Sequence, residues 1–289
     1  MLRAWMTWAV GVGIAIGAAG CKKPEGDKAA SPANVNVPAV AVSQQAAPAE
    51  QCDDPFRTAV VLDPPLGEQR PPDQTAAGKN VARIFEQIAG NSMTGGLWDQ
   101  VRLPKTGKLL ARVKTDQGDI VIELWHDVAP RHVRNFVALA KSGYFDGLKF
   151  HRSTRQEQGD KTIAYLEGGC PLGTGEYGYG SIGYWLKPEI KTDLKHEEGT
   201  VGAWSSKDSD AADDLNNAST KFYVTLNKAP WMDGQYTIFG RIVQGMDVAH
   251  TINRRPVHDD EFKDRPKEPV VIRSVTIETG VAANQIAAR

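Results

Sequence analysis

The stretch whose reading decides the fold is KFHRSTRQEQGDKTIAYLEGGC, residues 149–170. It opens as a strand, Lys149 to Ser153, with Arg152 near its end. From Thr154 to Asp160 it turns polar and charged, where a hydrophobic wall would be expected. It closes on Gly168-Gly169, the start of a glycine-rich loop that runs to Gly183. Neighbouring strand residues face opposite ways, so His151 is expected to point away from Arg152, into or behind the sheet wall.

Working outward, Leu110–Thr115 and Asp119–Leu124 alternate and are joined by Asp116-Gln117-Gly118, a hairpin signal. Pro130 opens a helix with Val133, Phe136, Val137 and Ala140 on one face, stopped at Gly143. On the C-terminal side, Phe222–Leu226 and Thr237–Val243 read as strands. A short helix follows Gly245, from Asp247 to Asn253, and Val270–Glu278 closes as a strand. Many short strands with two helices predict a mostly β chain, a closed barrel capped at its ends.

Further toward the N-terminus, residues 53–108 form an irregular extension broken by Pro64-Pro65 and Pro71-Pro72. Within it Val81, Ile84, Phe85 and Ile88 recur at helical spacing before Gly90. That apolar face, with Trp98 and Leu103, is expected to dock on the domain that follows, residues 109–280. Residues 281–289 are a short tail. Residues 21–52 are rich in Ala, Pro, Val, Ser and Gln and read as a disordered tether, with a reach of about 30 Å. Residues 1–20 carry Arg3, an apolar run from Ala9 to Ile16, and Ala18-Ala19-Gly20 before Cys21, a signal peptide pattern. The small-small-Cys ending is similar to a bacterial lipobox, which predicts a lipid on Cys21. Lys22 after it favours the outer membrane over the inner, with the domain facing the periplasm. An ordinary cleaved signal or a short anchor are the alternatives.

The formal net charge of −1 over 289 residues gives no basic footprint for nucleic acid. In an oxidising compartment Cys52 and Cys170 can pair, though sequence does not show that they meet. Gly173-x-Gly175-x-x-Gly178 and Gly178-x-Gly180-x-x-Gly183 spell a dinucleotide fingerprint but lack its strand-turn-helix setting. Asp208, Asp210, Asp213 and Asp214 lack the glycine and terminal glutamate of a calcium loop and read as a solvated acidic segment. The six histidines have no metal-like spacing, so no metal site is expected.

The ordered blocks resemble the cyclophilins, which are peptidyl-prolyl cis–trans isomerases. They are Asn135-Phe136, Tyr144-Phe145-Asp146-Gly147, Phe150-His151-Arg152, Gly168-Gly169 and Gly173-Thr174-Gly175. They continue with Glu198-Gly199-Thr200-Val201-Gly202, Ala218-Ser219, Lys221-Phe222-Tyr223-Val224, Trp231-Met232-Asp233-Gly234 and Phe239-Gly240. The resemblance spans about Leu109 to Glu278 and implies an eight-stranded antiparallel barrel with a helix over each end. It also implies a monomer that acts on proline-containing segments of folding proteins.

The chemistry such a site must perform needs no nucleophile, base, metal or cofactor. Amide resonance sets a barrier of roughly 18–20 kcal/mol, and favouring the twisted amide lowers it. A guanidinium donating to the nitrogen that regains its lone pair is one such device, and Arg152 matches the family's arginine. Tyr223 stands where the family has a Phe on the pocket floor, with an added hydroxyl that needs a partner. Trp231 and Met232 match a Trp-Leu pair beside the pocket, and Tyr236 replaces a His. Arg152, Tyr223 and Trp231 are thus the catalytic candidates.

The departures lie between Arg152 and Gly168-Gly169, where this chain is several residues longer than the family. Aligning the glycines puts Glu167 at a Gln, Tyr165 at a Met and Ala164 at a Phe, so Ala164 removes a hydrophobic wall. Gln158-Gly159-Asp160 then falls within the insertion. Ionised Glu167 only accepts hydrogen bonds and is expected to clamp Arg152. Trp204 replaces a small Ala and narrows the groove, and Lys221 replaces a Gln. Tyr165, Glu167, Trp204, Met232 and Tyr236 are the substrate-binding candidates. The alternative reading is a cyclophilin-fold module that binds proline-containing peptides or a protein partner with little or no turnover.

Overall fold

The structure, a computed structural model, describes residues 56–64, 70–90, 95–159, 161–176, 180–205, 218–258 and 264–280. The signal and tether segments, Cys21, Cys52, the tail 281–289, the aspartates 208–214 and Gly178 lie outside the described residues.

One short strand and two helices precede the matched blocks: β1 (Val60–Val61), α1 (Val81–Ala89) and α2 (Leu97–Gln100) fall in the extension, and β1 pairs with β6 (Trp185–Leu186), which lies later in the chain. The remaining strands are β2 (Lys108–Thr115), β3 (Gly118–Leu124), β4 (Arg152–Gln158), β5 (Lys161–Gly168), β7 (Thr200–Ala203), β8 (Phe222–Thr225), β9 (Ile238–Gln244) and β10 (Ile272–Gly280). They form one antiparallel sheet of eight strands in the order β10-β2-β3-β9-β7-β8-β5-β4. Helices α3 (Pro130–Lys141) and α4 (Met246–Asn253) are the two expected caps. The first packs against β9 and β10, the second against β3, β4 and β5.

The barrel is not closed by continuous strand pairing. The outer strands of the sheet meet only where residues 147–150, just before β4, touch the start of β10. There Lys149 bridges Val271, Phe150 N–H donates to Val270 O at 3.0 Å, and Ile272 N–H donates to Leu148 O at 2.7 Å. Beyond that seam β4 pairs with β5 alone, at the edge of the sheet. Its free edge is met instead by Asp264, whose carbonyl accepts from Ser153 N–H at 2.7 Å and whose carboxylate accepts from Thr154 at 3.1 Å. The strand expected over Lys149–Ser153 therefore starts later and runs longer. The last pair of its register is Gln158↔Lys161, and Gly159, just after β4, stands at φ +60°.

The extension is built into the same core. Asn80 caps α1 by accepting from Arg83 N–H at 2.8 Å, and Val81, Ile84 and Ile88 turn their common face inward. The Trp98 ring lies 5.1 Å from Phe56 and 4.8 Å from Tyr184, and its Nε1–H donates to Asn135 of α3 at 3.4 Å. The Tyr184 hydroxyl donates to the same Asn135 oxygen at 2.5 Å. One buried amide on α3 thus joins the extension, the 181–184 loop and the main core. Among the described residues, no helix is long and apolar enough to cross a membrane.

Candidate active site

Directly paired residues of antiparallel strands share a face. The register runs Arg152↔Glu167 from β4 to β5, Glu167↔Tyr223 from β5 to β8, and Tyr223↔Gly202 from β8 to β7. Three of the singled-out positions, Arg152, Glu167 and Tyr223, therefore form one transverse row with Gly202. The next residues of these strands, Leu166, Phe222 and Val201, belong to the main core. The row faces the other side, with Tyr223, Ala229 and Met232 in a separate cluster backed by Trp204 and Tyr236. Ala164 follows the core parity: it is buried in the main core, not in the groove. It is therefore no vacated wall, because its odd spacing from Tyr165 and Glu167 turns it to the opposite face.

Glu167 is buried at the centre of the row. Its Oε1 lies 3.2 Å from Arg152 Nη1, and its Oε2 lies 3.4 Å from His151 Nε2, a longer contact. Glu167 thus meets Arg152 through one carboxylate oxygen. His151 corrects the expectation that it faces away: it precedes β4, so strand alternation does not govern its ring. The glycine-rich loop covers it, since a Cβ on Gly175 would stand 2.5 Å from the imidazole. Lys221 is buried beneath the same loop at Gly180.

These charges set the ionisation of the site. Burial alone would raise the Glu167 carboxyl, but His151, Arg152 and Lys221 outweigh it and hold it below the ordinary glutamate value. Burial lowers His151 despite Glu167, so its ring is neutral near pH 7. Burial likewise opposes the Arg152 charge, yet Glu167 and the Tyr165 hydroxyl outweigh it and raise the guanidinium. The Arg152 side chain keeps 34 % of its surface exposed, so its outer donors can reach a bound peptide.

The Tyr223 hydroxyl has its partner. It donates to His196 Nε2 at 2.7 Å, and His196 Nδ1–H donates to Asp233 Oδ1 at 2.9 Å. An ionised carboxylate only accepts, so Asp233 fixes which imidazole nitrogen carries the proton. Lys195 lies 3.4 Å from the other Asp233 oxygen. Gly202 makes room for this arrangement: a Cβ there would come within 2.2 Å of the Tyr223 oxygen. His196 was not among the residues singled out from sequence. The signal for it was the extra hydroxyl of Tyr223, which required a polar partner somewhere.

Three aromatic rings stand over this floor. Trp204 stacks on Tyr165 at 6.1 Å and 22°, and on Tyr236 at 5.9 Å and 21°. Its edge-on contact with Tyr223 is 6.2 Å at 82°. Met232 is buried in the same cluster. Trp231, on the 3-10 turn Pro230–Met232, is 37 % exposed and stays outside that cluster at the rim. Cys170 is buried, its sulfur accepting from Gly175 N–H at 3.4 Å; Cys52, its expected partner, lies outside the described residues. Among the described residues no group of three His, Cys, Asp or Glu side chains is placed to hold a metal.

Residues 110–277 match the family model described as "Cyclophilin type peptidyl-prolyl cis-trans isomerase/CLD". The chain is 37% identical over 166 residues to "Peptidyl-prolyl cis-trans isomerase ppi1" of Schizosaccharomyces pombe, covering 57% of this chain and 97% of that one. It is 36% identical over 160 residues to "Peptidyl-prolyl cis-trans isomerase-like 1" of Homo sapiens, covering 55% and 87%. With "Peptidyl-prolyl cis-trans isomerase-like 2" of Rhizopus delemar the identity is 34% over 168 residues, only 28% of that longer protein. The crystal structure of a cyclophilin type isomerase from Cryptosporidium parvum matches with a TM-score of 0.52 at 26% identity, over 60% of this chain and 99% of that one. A second crystal structure from that organism, obtained in the presence of the dipeptide Ala-Pro, gives 0.51 at the same identity, over 59% and 99%. The matched span, the eight-stranded antiparallel sheet and the arginine-headed row agree, and the chain belongs to the cyclophilin-type peptidyl-prolyl cis–trans isomerases.

Proposed function

We propose that this chain isomerises X-Pro bonds in folding proteins of a bacterial cell envelope, held there as a monomer by a lipid on Cys21. The observation that carries the catalytic reading is the position of Arg152, half-buried at the head of a row whose floor is Tyr223. A prolyl amide that twists loses resonance, and its nitrogen regains a lone pair. Arg152 donates toward that nitrogen, while Glu167 holds the guanidinium from behind. Tyr223, fixed by His196, supplies the surface on which the proline ring rests. No proton is transferred and no covalent bond forms or breaks. The Ala-Pro dipeptide used with the Cryptosporidium parvum relative supports the substrate class.

A protease-coupled assay on the full chain with an Ala-Pro tetrapeptide tests this. Arg152→Ala is expected to lower kcat/KM by about 100-fold, the scale of losing one transition-state donor. Wild type no faster than buffer would end the catalytic reading. The envelope reading rests on Ala18-Ala19-Gly20-Cys21 and Lys22. Palmitate labelling of the expressing bacterium checks it: label is expected on the wild type and absent from Cys21→Ser, and unlabelled wild type removes the anchor.

A second reading is supported by the Trp204 stack and the Glu167 clamp, both of which oppose turnover. On that reading the groove is a binding module, and the same assay shows peptide binding without acceleration.

A further inference from the structure

Tyr223, Tyr165 and Tyr236 stand where the resemblance puts a pocket-floor Phe, a Met and a His, and the last two are substrate-binding candidates. All three touch one ring, the indole of Trp204. A five-membered ring that is to lie on Tyr223 between Tyr165 and Tyr236 needs the volume this indole fills. The Trp204 backbone is not free to withdraw. Its N–H donates to Lys221 O at 3.1 Å, and Ala203 N–H before it donates to Thr237 O at 2.9 Å. With those bonds kept, rotation of the side chain clears the site. The aromatic contacts that hold the ring are non-covalent and individually weak, so a bound ligand can replace them.

We propose that the Trp204 indole plugs the proline pocket of the resting protein, that a proline-containing segment binds only by swinging it out, and that Trp204 is therefore the residue that limits affinity. This deepens the isomerase reading and rests on it for the identity of the pocket. A pocket open only part of the time binds with an apparent Kd raised by the inverse of its open fraction. Arg152 lies outside the stack, so the plug burdens KM and leaves the chemistry of the open state untouched.

The test compares the full-length wild type with Trp204→Ala on an Ala-Pro tetrapeptide, reading kcat and KM separately. We expect KM to fall about tenfold or more with kcat changed little, as replacing two ring stacks and one edge contact implies. A folded Trp204→Ala, judged by its circular dichroism and melting curve, whose KM is unchanged or higher overturns the plug. Should that variant fail to fold, fluorine NMR of the wild type grown on 5-fluorotryptophan decides the matter. The Trp204 signal, assigned by its loss in Trp204→Phe, is expected to move on saturation with the tetrapeptide; a signal that stays in place overturns the proposal. If neither protein accelerates isomerisation, the catalytic reading falls separately. Tighter tetrapeptide binding by Trp204→Ala then still supports the plug, and equal binding overturns it.

Discussion

Arg152 and Glu167 are direct cross-strand partners, and their side chains meet at 3.2 Å through a single carboxylate oxygen. The other oxygen faces His151, so the carboxylate is shared between a fixed cation and a neutral, buried ring. This geometry orients the guanidinium and at the same time draws its charge away from a substrate.

Glu167→Gln separates those two effects. The amide keeps the shape, while the Arg152 charge is no longer offset. We expect kcat to rise roughly three- to tenfold, the scale of one modest ion-pair contribution of about 1 kcal/mol. The gain should vanish when Arg152→Ala is added. An unchanged or reduced kcat in a folded Glu167→Gln would mean that orientation by the carboxylate outweighs its charge.

Much of the fold was legible because it rests on local rules. The β2–β3 hairpin follows from alternation and the Asp116-Gln117-Gly118 turn, and α3 from Pro130 and its apolar face. The β4–β5 hairpin was less so. Arg155, Gln156 and Glu157 are exposed, and nothing in their pattern separates an exposed edge strand from a loop. Aligning Gly168-Gly169 put Glu167 at a Gln position with an expected clamp on Arg152; the β4–β5 register pairs the two residues directly. Facing is set by parity and by where a strand begins, and there Ala164 and His151 were misjudged. The two-residue strands β1 and β6 and the His196–Tyr223 bond depend on residues far apart in the chain, which no local pattern reports.

Trp98 is the residue on which the extension depends. It is 3 % exposed, and it joins Phe56, Phe85, Tyr184 and Asn135. Trp98→Ala deletes that hub, and large-to-small changes of this kind cost about 3–5 kcal/mol. Chemical denaturation should show the whole domain weakened in one transition, with kcat/KM of the remaining folded protein close to wild type. A transition lost from the extension alone, with the domain midpoint unmoved, would mean that the two do not share a core.

The Tyr223–His196–Asp233 chain gives the stability a defined dependence on pH. Burial lowers His196 despite Asp233, so in the folded protein it stays neutral below the ordinary histidine value of about 6.5. The groups facing it are Asp233, the Tyr223 hydroxyl and the Tyr236 ring, with Lys195 beyond Asp233. Between the lowered folded value and about 6.5 the unfolded chain binds the proton and the folded one does not, so stability rises with pH there. The contribution is complete above about 6.5 and is lost as pH falls through the folded value. His151 is lowered by burial in the same sense and adds a share of its own. Melting curves from pH 8 to pH 5 should therefore fall less steeply for His196→Gln than for the wild type, because the His196 ring is gone. Tyr223→Phe provides the control. It leaves His196 Nε2 buried without its donor, at a cost of about 1–3 kcal/mol, while keeping the titrating ring. Its melting temperature should drop at pH 8 yet keep a downward slope toward acid. Parallel slopes in wild type and His196→Gln would show that His196 takes up its proton equally well in both states, and the relay would then have no bearing on pH.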